Sequence, residues 1–250
     1  MKLGEPQRGE EVPGHLAAIL GSPPGQVRVR HVCAISAKGS VMRISERTPK
    51  SPLDFFLLNA ARAAASAILT TGRILRDEPD VVHRLQGPPG AVAALEDFRR
   101  GILGRREPPW LAVLTSGRAI DPEHPAFAAG LPVVFLTSPN GERELRHAGL
   151  PAGARVVPTA HVDAPRAVAW LATHAPPGAV LIEAGPSAAR TLYTDPCRIE
   201  ELWLSRYLGN ELPAELLGET LEESLFPPAR SQADHDQPSG PWRFARHAWA

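Results

Sequence analysis

The chain has 250 residues and a mass of 26.9 kDa, the size of one ordinary domain or of two small ones. Its 27 Lys and Arg balance 27 Asp and Glu, so the charge gives no support to a protein that coats nucleic acid or binds an anionic membrane. Hydrophobic residues make up 43%, enough for a core, and two cysteines exclude a disulfide scaffold or a cysteine zinc site. The 27 Pro and 21 Gly predict short elements joined by many loops rather than a helical bundle.

The first 26 residues are rich in Pro, Gly and Glu around one short apolar patch, Leu16, Ile19 and Leu20. This composition predicts a flexible, loosely attached lead-in to a single domain over residues 27–250. The start lacks the basic and apolar regions of a signal peptide, and no stretch is apolar for long enough to span a membrane. We therefore expect a cytoplasmic protein.

Strands and helices alternate along the rest of the chain. Ser51 and Pro52 are typical of the N-cap and first position of a helix, and continuous apolar runs between turns are typical of buried parallel strands. The predicted strands are 27–35, 67–71, 110–114, 132–136, 179–182, 200–207 and 241–249, and the predicted helices are 53–65, 91–103, 164–174 and 187–193. This order predicts an α/β fold with a mixed, mostly parallel central sheet flanked by helices in three layers.

Small, hydroxyl-bearing and arginine residues follow four of the predicted buried strands, in the loops 72–79, 115–118, 137–141 and 183–188. Ligands of α/β sheets bind beyond the carboxyl ends of the strands, and residues of these types suit an anion. Ordinary turn chemistry explains any one loop alone, but four together favour a phosphate-bearing cofactor at the sheet edge. The glycine patterns of Rossmann and P-loop proteins are absent.

Two acidic residues are candidate catalytic residues, and each also has a non-functional interpretation. Glu183 directly follows four apolar residues, so its carboxylate is either half-buried and functional or solvated at the rim. Asp77 and Arg84 flank a proline loop, where the alternative is a weak surface ion pair. The nine histidines show no metal-binding spacing, so no metal site is predicted. The sequence also contains no nucleophile motif.

Several segments, in their order and spacing, resemble the motifs of a known family. They are 36–39 (Ser-Ala-Lys-Gly), Arg62, Gly72, 77–84 (Asp-Glu-Pro-Asp-Val-Val-His-Arg), 114–118 (Leu-Thr-Ser-Gly-Arg), 183–187 (Glu-Ala-Gly-Pro-Ser) and 199–202 (Ile-Glu-Glu-Leu). Together they resemble the reductase domain of the bacterial riboflavin-biosynthesis deaminase-reductase, which has a dihydrofolate-reductase-like fold. The similarity covers roughly residues 28–250.

The resemblance implies a homodimeric, NADPH-dependent reductase that passes hydride to the ribosyl group of a pyrimidine ribosylamine phosphate. By position, the implied cofactor-binding residues are Thr71, Gly72, Arg73, Ser116, Arg118, Gly185, Pro186 and Ser187. Of these, Ser116 and Arg118 would bind the 2′-phosphate. The implied substrate-binding residues are Ser36, Lys38, Arg62 and Arg84, with the two arginines on the substrate phosphate. Asp77 and Glu183 would line the reacting centre as catalytic residues.

The sequence departs from the family pattern at several places. Lys38 stands where the family has Asp, which reverses a charge beside the substrate, and the glycine turn is one residue short at 70–73. Ala184 replaces a glycine, where a Cβ would crowd a bound pyrophosphate, and Val82 replaces a threonine. Residues 87–107 are predicted to be an insertion that could cover the site. No deaminase motif is present.

Three functions stay open at this point. The first is a stand-alone NADPH-dependent reductase of the riboflavin-pathway type, and the second is a reductase of the same fold with another small carbonyl or imine substrate. Lys38 favours the second. The third is a catalytically idle dimer that binds nucleotide or serves as a scaffold. No nucleic-acid or membrane partner is expected.

Overall fold

The computed structural model describes residues 6–20, 27–194, 196–226, 231–233 and 240–249. Its strands are β1 (Val29–Ser36), β2 (Ser40–Met42), β3 (Ala65–Thr71), β4 (Trp110–Leu114), β5 (Val133–Thr137), β6 (Arg155–Pro158), β7 (Ala179–Ile182), β8 (Glu201–Tyr207), β9 (Leu217–Thr220), β10 (Ser231–Ala233) and β11 (Trp242–Ala248). Its α-helices are α1 (Val12–Leu20), α2 (Pro52–Ala64), α3 (Gly72–Asp77), α4 (Pro89–Asp97), α5 (Pro139–Ala148), α6 (Ala164–His174) and α7 (Pro186–Tyr193). Across these ranges, no helix combines the length and the apolar character that a membrane crossing requires.

One large sheet forms the centre of the molecule, in the order β10-β11-β8-β1-β7-β3-β4-β5-β6. The seven strands from β8 to β6 run parallel, and β11 and β10 close one edge antiparallel. The short strands β2 and β9 pair with each other beside this row, and β2 also pairs with β1. The predicted mixed, mostly parallel sheet is confirmed.

Helices cover both faces of the sheet because successive strand residues point to opposite sides. In β3, Ile68 packs into the cluster that contains α1 and α2, whereas Ala67 and Leu69 pack into the cluster with α6 and α7. All four residues of β7 are buried, as expected for an apolar strand covered on both faces. The predicted three-layer arrangement follows from this packing.

Helix α2 begins as the sequence predicts, and it carries Arg62 to the sheet. The Ser51 hydroxyl accepts a hydrogen bond from the Asp54 amide at 3.3 Å, and Pro52 occupies the first turn. Arg62 lies in the last turn, and its side chain is buried.

Residues 6–20 differ from the loosely attached lead-in that composition predicts. Helix α1 buries Val12, Leu16, Ile19 and Leu20 in the core, at a spacing that puts all four on one helical face. The segment ahead of α1 is also attached, because the Gly9 amide donates to Asp97 Oδ2 at 3.1 Å. The prediction for this segment was wrong because the apolar patch outweighs the Pro and Gly content around it. Residues 1–5 and 21–26 lie outside the described residues.

Candidate active site

A cavity of about 270 Å³ opens at the carboxyl ends of β3 and β7, and we call it the cleft. The loop and helix after β3, the turn after β7, and the pair β2–β9 form its walls. Among the residues predicted for the site, those that line the cleft are Thr71, Arg73, Asp77, Glu183, Gly185, Pro186 and Ser187.

The turn from β3 into α3 brings two charged groups to the cleft. Thr71 caps α3 by accepting the Ile74 amide at 3.3 Å. The next residue must be glycine, since a Cβ on Gly72 would lie 2.6 Å from the Thr115 hydroxyl. Arg73 and Asp77 then fall one helical turn apart, with 3.5 Å between Arg73 Nε and Asp77 Oδ2.

The turn from β7 into α7 offers backbone N–H groups to the cleft. Gly185 is the N-cap without a side-chain cap, and a Cβ built on it would meet no atom within 4 Å. The Ser187 amide donates to Glu219 Oε2 at 3.1 Å, and the other oxygen of Glu219 accepts from Arg73. A carboxylate of β9 therefore lies where the helix start would attract an anion. Ala184 is nearly buried and forms part of the wall.

Glu183 forms a buried ion pair with Arg62 at the floor of the cleft. Arg62 donates from two nitrogens to the two carboxylate oxygens, at 2.8 and 2.7 Å. Although burial alone raises the pKa of Glu183, the charge and hydrogen bonds of Arg62 outweigh it, so that the pKa lies below its ordinary value. Glu183 is thus held as an anion, and the alternative of a solvated rim position is wrong.

His83 lies beside this pair, with Nε2 3.9 Å from Glu183 Oε2. Burial lowers the pKa of His83 to about 4, which outweighs the opposing effect of Glu183. The ring is therefore neutral near pH 7, and its Nδ1 has no hydrogen-bond partner among the described residues.

Glu78 also lines the cleft, and the sequence-based prediction missed it. Burial raises its pKa to about 7. The motif with Asp77 and Pro79 placed it in the right loop, but nothing local in the sequence indicates that this carboxyl is desolvated while its neighbour Asp77 is partly exposed.

None of the four predicted substrate-binding residues, Ser36, Lys38, Arg62 and Arg84, lines the cleft. Arg62 pairs with Glu183 and also donates to the Arg84 carbonyl oxygen at 3.1 Å, and its role on a substrate phosphate stays a prediction. Lys38 is exposed and pairs with Glu211, so its charge does not face the cleft. Ser36 is buried, and its hydroxyl accepts the amide of residue 40.

Arg84 borders a second cavity of about 320 Å³, formed by the 83–85 loop, the 129–131 segment and residues of the predicted insertion 87–107. This cavity is basic, and the arginines that line it are Arg62, Arg84, Arg99, Arg100 and Arg106. Residues of the 87–107 segment border this second cavity beside Arg62 and Arg84, and none of them lines the cleft. That the segment covers a substrate stays a prediction.

Ser116 and Arg118 lie exposed on the loop after β4. Gly117 between them has φ of +86° and contacts Gly141 so closely that a Cβ would lie 2.3 Å from its carbonyl oxygen. The loop is therefore fixed against α5. Among the described residues, the Arg118 side chain has no hydrogen-bond or ion-pair partner, so it is available to a ligand. Its role on a 2′-phosphate stays a prediction.

No family model and no curated protein matches this sequence. Solved structures do match. A pyrimidine reductase-like protein of Corynebacterium diphtheriae is 20% identical, with a TM-score of 0.61 over 94% of this chain and 98% of that one. The riboflavin biosynthesis reductase Rib7 of Saccharomyces cerevisiae is 14% identical, with a TM-score of 0.58 over 96% of this chain and 100% of that one.

A third match is a diaminohydroxyphosphoribosylaminopyrimidine deaminase/5-amino-6-(5-phosphoribosylamino)uracil reductase of Thermotoga maritima, 13% identical with a TM-score of 0.61. The match covers 90% of this chain but 57% of that longer one. These likenesses confirm the predicted α/β class. The chain therefore has the fold shared by this pyrimidine reductase-like protein, the riboflavin biosynthesis reductase Rib7 and the deaminase/reductase.

Proposed function

We propose that this chain is an NADPH-dependent reductase of a small imine or carbonyl compound, with the pyrimidine ribosylamine phosphate as the first substrate to test. The observation that carries the proposal is the cleft. A cationic side chain (Arg73), a helix start and a buried carboxylate (Glu183) converge there at the carboxyl ends of two parallel strands. Solved pyrimidine reductases share the fold in which this occurs.

The residues around the cleft fit a dinucleotide phosphate. The backbone at Gly185 faces open space, the Ser187 amide already holds an anionic group, and Arg73 adds a positive charge at the mouth. A phosphate would take the place of the Glu219 carboxylate on these donors. Arg118, on the neighbouring loop, is the residue we assign to the 2′-phosphate that distinguishes NADPH from NADH.

Bound NADPH would supply the hydride, and the chain would supply geometry and electrostatics. Glu183, held ionised by Arg62, places a fixed negative charge at the cleft floor, which stabilises positive charge on the imine or on the oxidised nicotinamide. The apolar side chains Val32, Val41 and Ile74 line the same space and make part of its wall apolar.

Two measurements test the proposal. Fluorescence titration with NADPH and NADH should show tighter binding of NADPH, and Arg118→Ala should remove that preference. Arg166→Ala is the matched control, since Arg166 is an exposed arginine that pairs with Asp163 and lines neither cavity. Absorbance loss of NADPH upon addition of 5-amino-6-(5-phosphoribosylamino)uracil then tests turnover. No binding of either nucleotide would refute the reductase.

The second candidate is a nucleotide-binding protein without turnover. One observation favours it, namely that the ionic groups of the cleft are matched to one another: Glu219 holds Arg73 and the helix start, and Glu183 holds Arg62. Tight NADPH binding combined with no reduction of a panel of small imines and aldehydes would select this candidate. The homodimer that the family resemblance implies is a separate prediction, and light scattering after size-exclusion chromatography tests it.

A further inference from the structure

The reduction proposed above consumes a proton, since the nitrogen or oxygen of the reduced bond takes one up when hydride reaches the carbon. The inference of a proton donor in the cleft therefore rests on the proposed function. The carboxyl groups that line the cleft are those of Asp54, Asp77, Glu78, Glu183 and Glu219. Their surroundings decide which of them is able to give a proton near pH 7.

Three of these carboxylates are paired with arginines. Glu183 accepts two hydrogen bonds from Arg62, and Glu219 accepts one from Arg73. Asp77 Oδ2 lies 3.5 Å from Arg73 Nε and 3.9 Å from a nitrogen of Arg43. These groups are suited to accept hydrogen bonds from the arginines and to balance their charge.

Asp54 and Glu78 are the two carboxyls of the cleft without a salt bridge among the described residues. Burial raises the pKa of Asp54, but this group sits at the start of α2 and interacts with Ser205 of β8, which is two strands from β7 in the sheet. Glu78 interacts instead with Glu183 and Asp77, at the ends of β7 and α3 where the proposed dinucleotide site lies.

The backbone holds Glu78 in one place. Its amide donates to the Ile74 carbonyl at 2.8 Å, and its carbonyl accepts from the Val81 amide at 3.1 Å. Pro79 follows and restricts the conformation of the residue before it. The side chain is therefore presented to the cleft by a fixed turn rather than by a mobile loop.

The charges facing Glu78 come from three elements. Burial is the main cause that raises its pKa to about 7, and the negative charges of Glu183 and Asp77 act in the same direction. The Ile44 amide and the Arg43 charge act in the opposite direction. Near pH 7 the group is therefore divided between its protonated and ionised forms, as a general acid requires.

We propose that Glu78 is the general acid of the cleft. As hydride from NADPH forms the new C–H bond, the π-bond electrons move to the imine nitrogen or carbonyl oxygen, and the Glu78 carboxyl proton forms the new N–H or O–H bond. The products are the amine or alcohol, NADP⁺ and the Glu78 carboxylate. A proton from solvent at the open mouth of the cleft then restores the carboxylic acid.

The first test reads the protonation of Glu78 without catalysis. In protein labelled with ¹³C at glutamate carboxyls, one resonance should titrate near pH 7 and should be missing from Glu78→Gln. Titration of this resonance near the ordinary glutamate value of about 4.5 would overturn the proposal whatever the activity.

The second test reads turnover. Glu78→Gln should lower kcat by about 100-fold or more while leaving the Kd for NADPH unchanged. The kcat of the wild type should fall above about pH 7, and Glu78→Gln should remove this fall. Glu78→Asp should recover part of the rate. Asp80→Asn is the matched control, an exposed carboxylate two residues along that does not line the cleft.

The outcomes separate the two proposals. If the wild type binds NADPH and reduces the substrate but Glu78→Gln does so equally well, or if Asp54→Asn abolishes the rate in its place, the acid role of Glu78 is overturned and the reductase stands. If the wild type reduces none of the imines and carbonyls tested, both proposals fall.

Discussion

Removal of Arg62 should destabilise the whole protein, because its guanidinium balances a buried carboxylate. The side chains of Arg62 and Glu183 are 2% and 10% exposed. Arg62 makes two hydrogen bonds to Glu183 and one to a backbone carbonyl, at 3.1 Å. Arg62→Ala would leave Glu183 buried without its cation.

Breaking one side of a buried pair lowers the free energy of unfolding by about 3–5 kcal/mol. For a chain of this length that corresponds to a fall in Tm of roughly 6–20 °C. Glu183→Gln should also destabilise, because it leaves Arg62 buried and unbalanced. The double variant Arg62→Leu/Glu183→Leu should lose less than the sum of the two single changes.

Unfolding in urea, monitored by tryptophan fluorescence, measures these changes in the free energy of unfolding. An exposed ion pair of the same cleft provides the control. The pair between Arg73 and Glu219 is much more open, with side chains that are 55% and 37% exposed. Arg73→Ala should therefore change the free energy of unfolding by at most about 1 kcal/mol. A loss below about 1 kcal/mol for Arg62→Ala would refute the assignment of this arginine to the core, and weakened phosphate binding in the same variant would support the predicted substrate role.

Glu219→Gln should strengthen NADPH binding several-fold in a fluorescence titration, because a neutral amide no longer competes with phosphate at the start of α7; weaker binding would argue against a phosphate there. Leu16→Ala should lower the free energy of unfolding by about 2–5 kcal/mol in urea, since the side chain is fully buried, and a loss below about 1 kcal/mol would place α1 outside the core. The free energy of unfolding should fall by about 1 kcal/mol per pH unit between about pH 6 and pH 5.5, where the histidines of the unfolded chain are mostly protonated. Burial lowers the pKa of His31 and His83 to about 4, so the unfolded chain takes up two protons that the folded chain does not. Glu78 acts in the opposite direction, because its pKa is raised to about 7 and it carries one extra proton in the folded state. Glu78→Gln should therefore roughly double the slope, and equal slopes would contradict the protonated carboxyl.

Local sequence patterns predicted most of the sheet and its helices. The strands Trp110–Leu114 and Ala179–Ile182 and the helix Ala164–His174 have the predicted bounds. Apolar runs between turns define such strands, and Asp163 caps the helix by accepting the Arg166 amide. The short strands β2 and β9 were not predicted, since each has too few residues for a periodic pattern.

The site was predicted in part, for a physical reason. The turns after β3 and β7 were predicted because glycine, proline and hydroxyl residues determine the backbone conformation of their own segment. Glu78 and Glu219 were missed because their roles depend on distant groups: β9 brings Glu219 to Ser187, and the Ile44 segment lies against Glu78. Burial of an acidic side chain is a tertiary property, and no short window of sequence carries it.

The balanced charge of the chain has a counterpart in the cleft. Arg73 is offset by Glu219 on the wall of β9, whereas the exposed side chain of Arg118 has no such partner among the described residues. An anion that enters at the start of α7 must therefore displace the Glu219 carboxylate. Its net binding free energy is the difference between its own interaction with Arg73 and the helix start and that of Glu219. At Arg118 a phosphate displaces only water. Affinity for the pyrophosphate is thus expected to be modest, and discrimination between NADPH and NADH should reside mainly at the loop after β4.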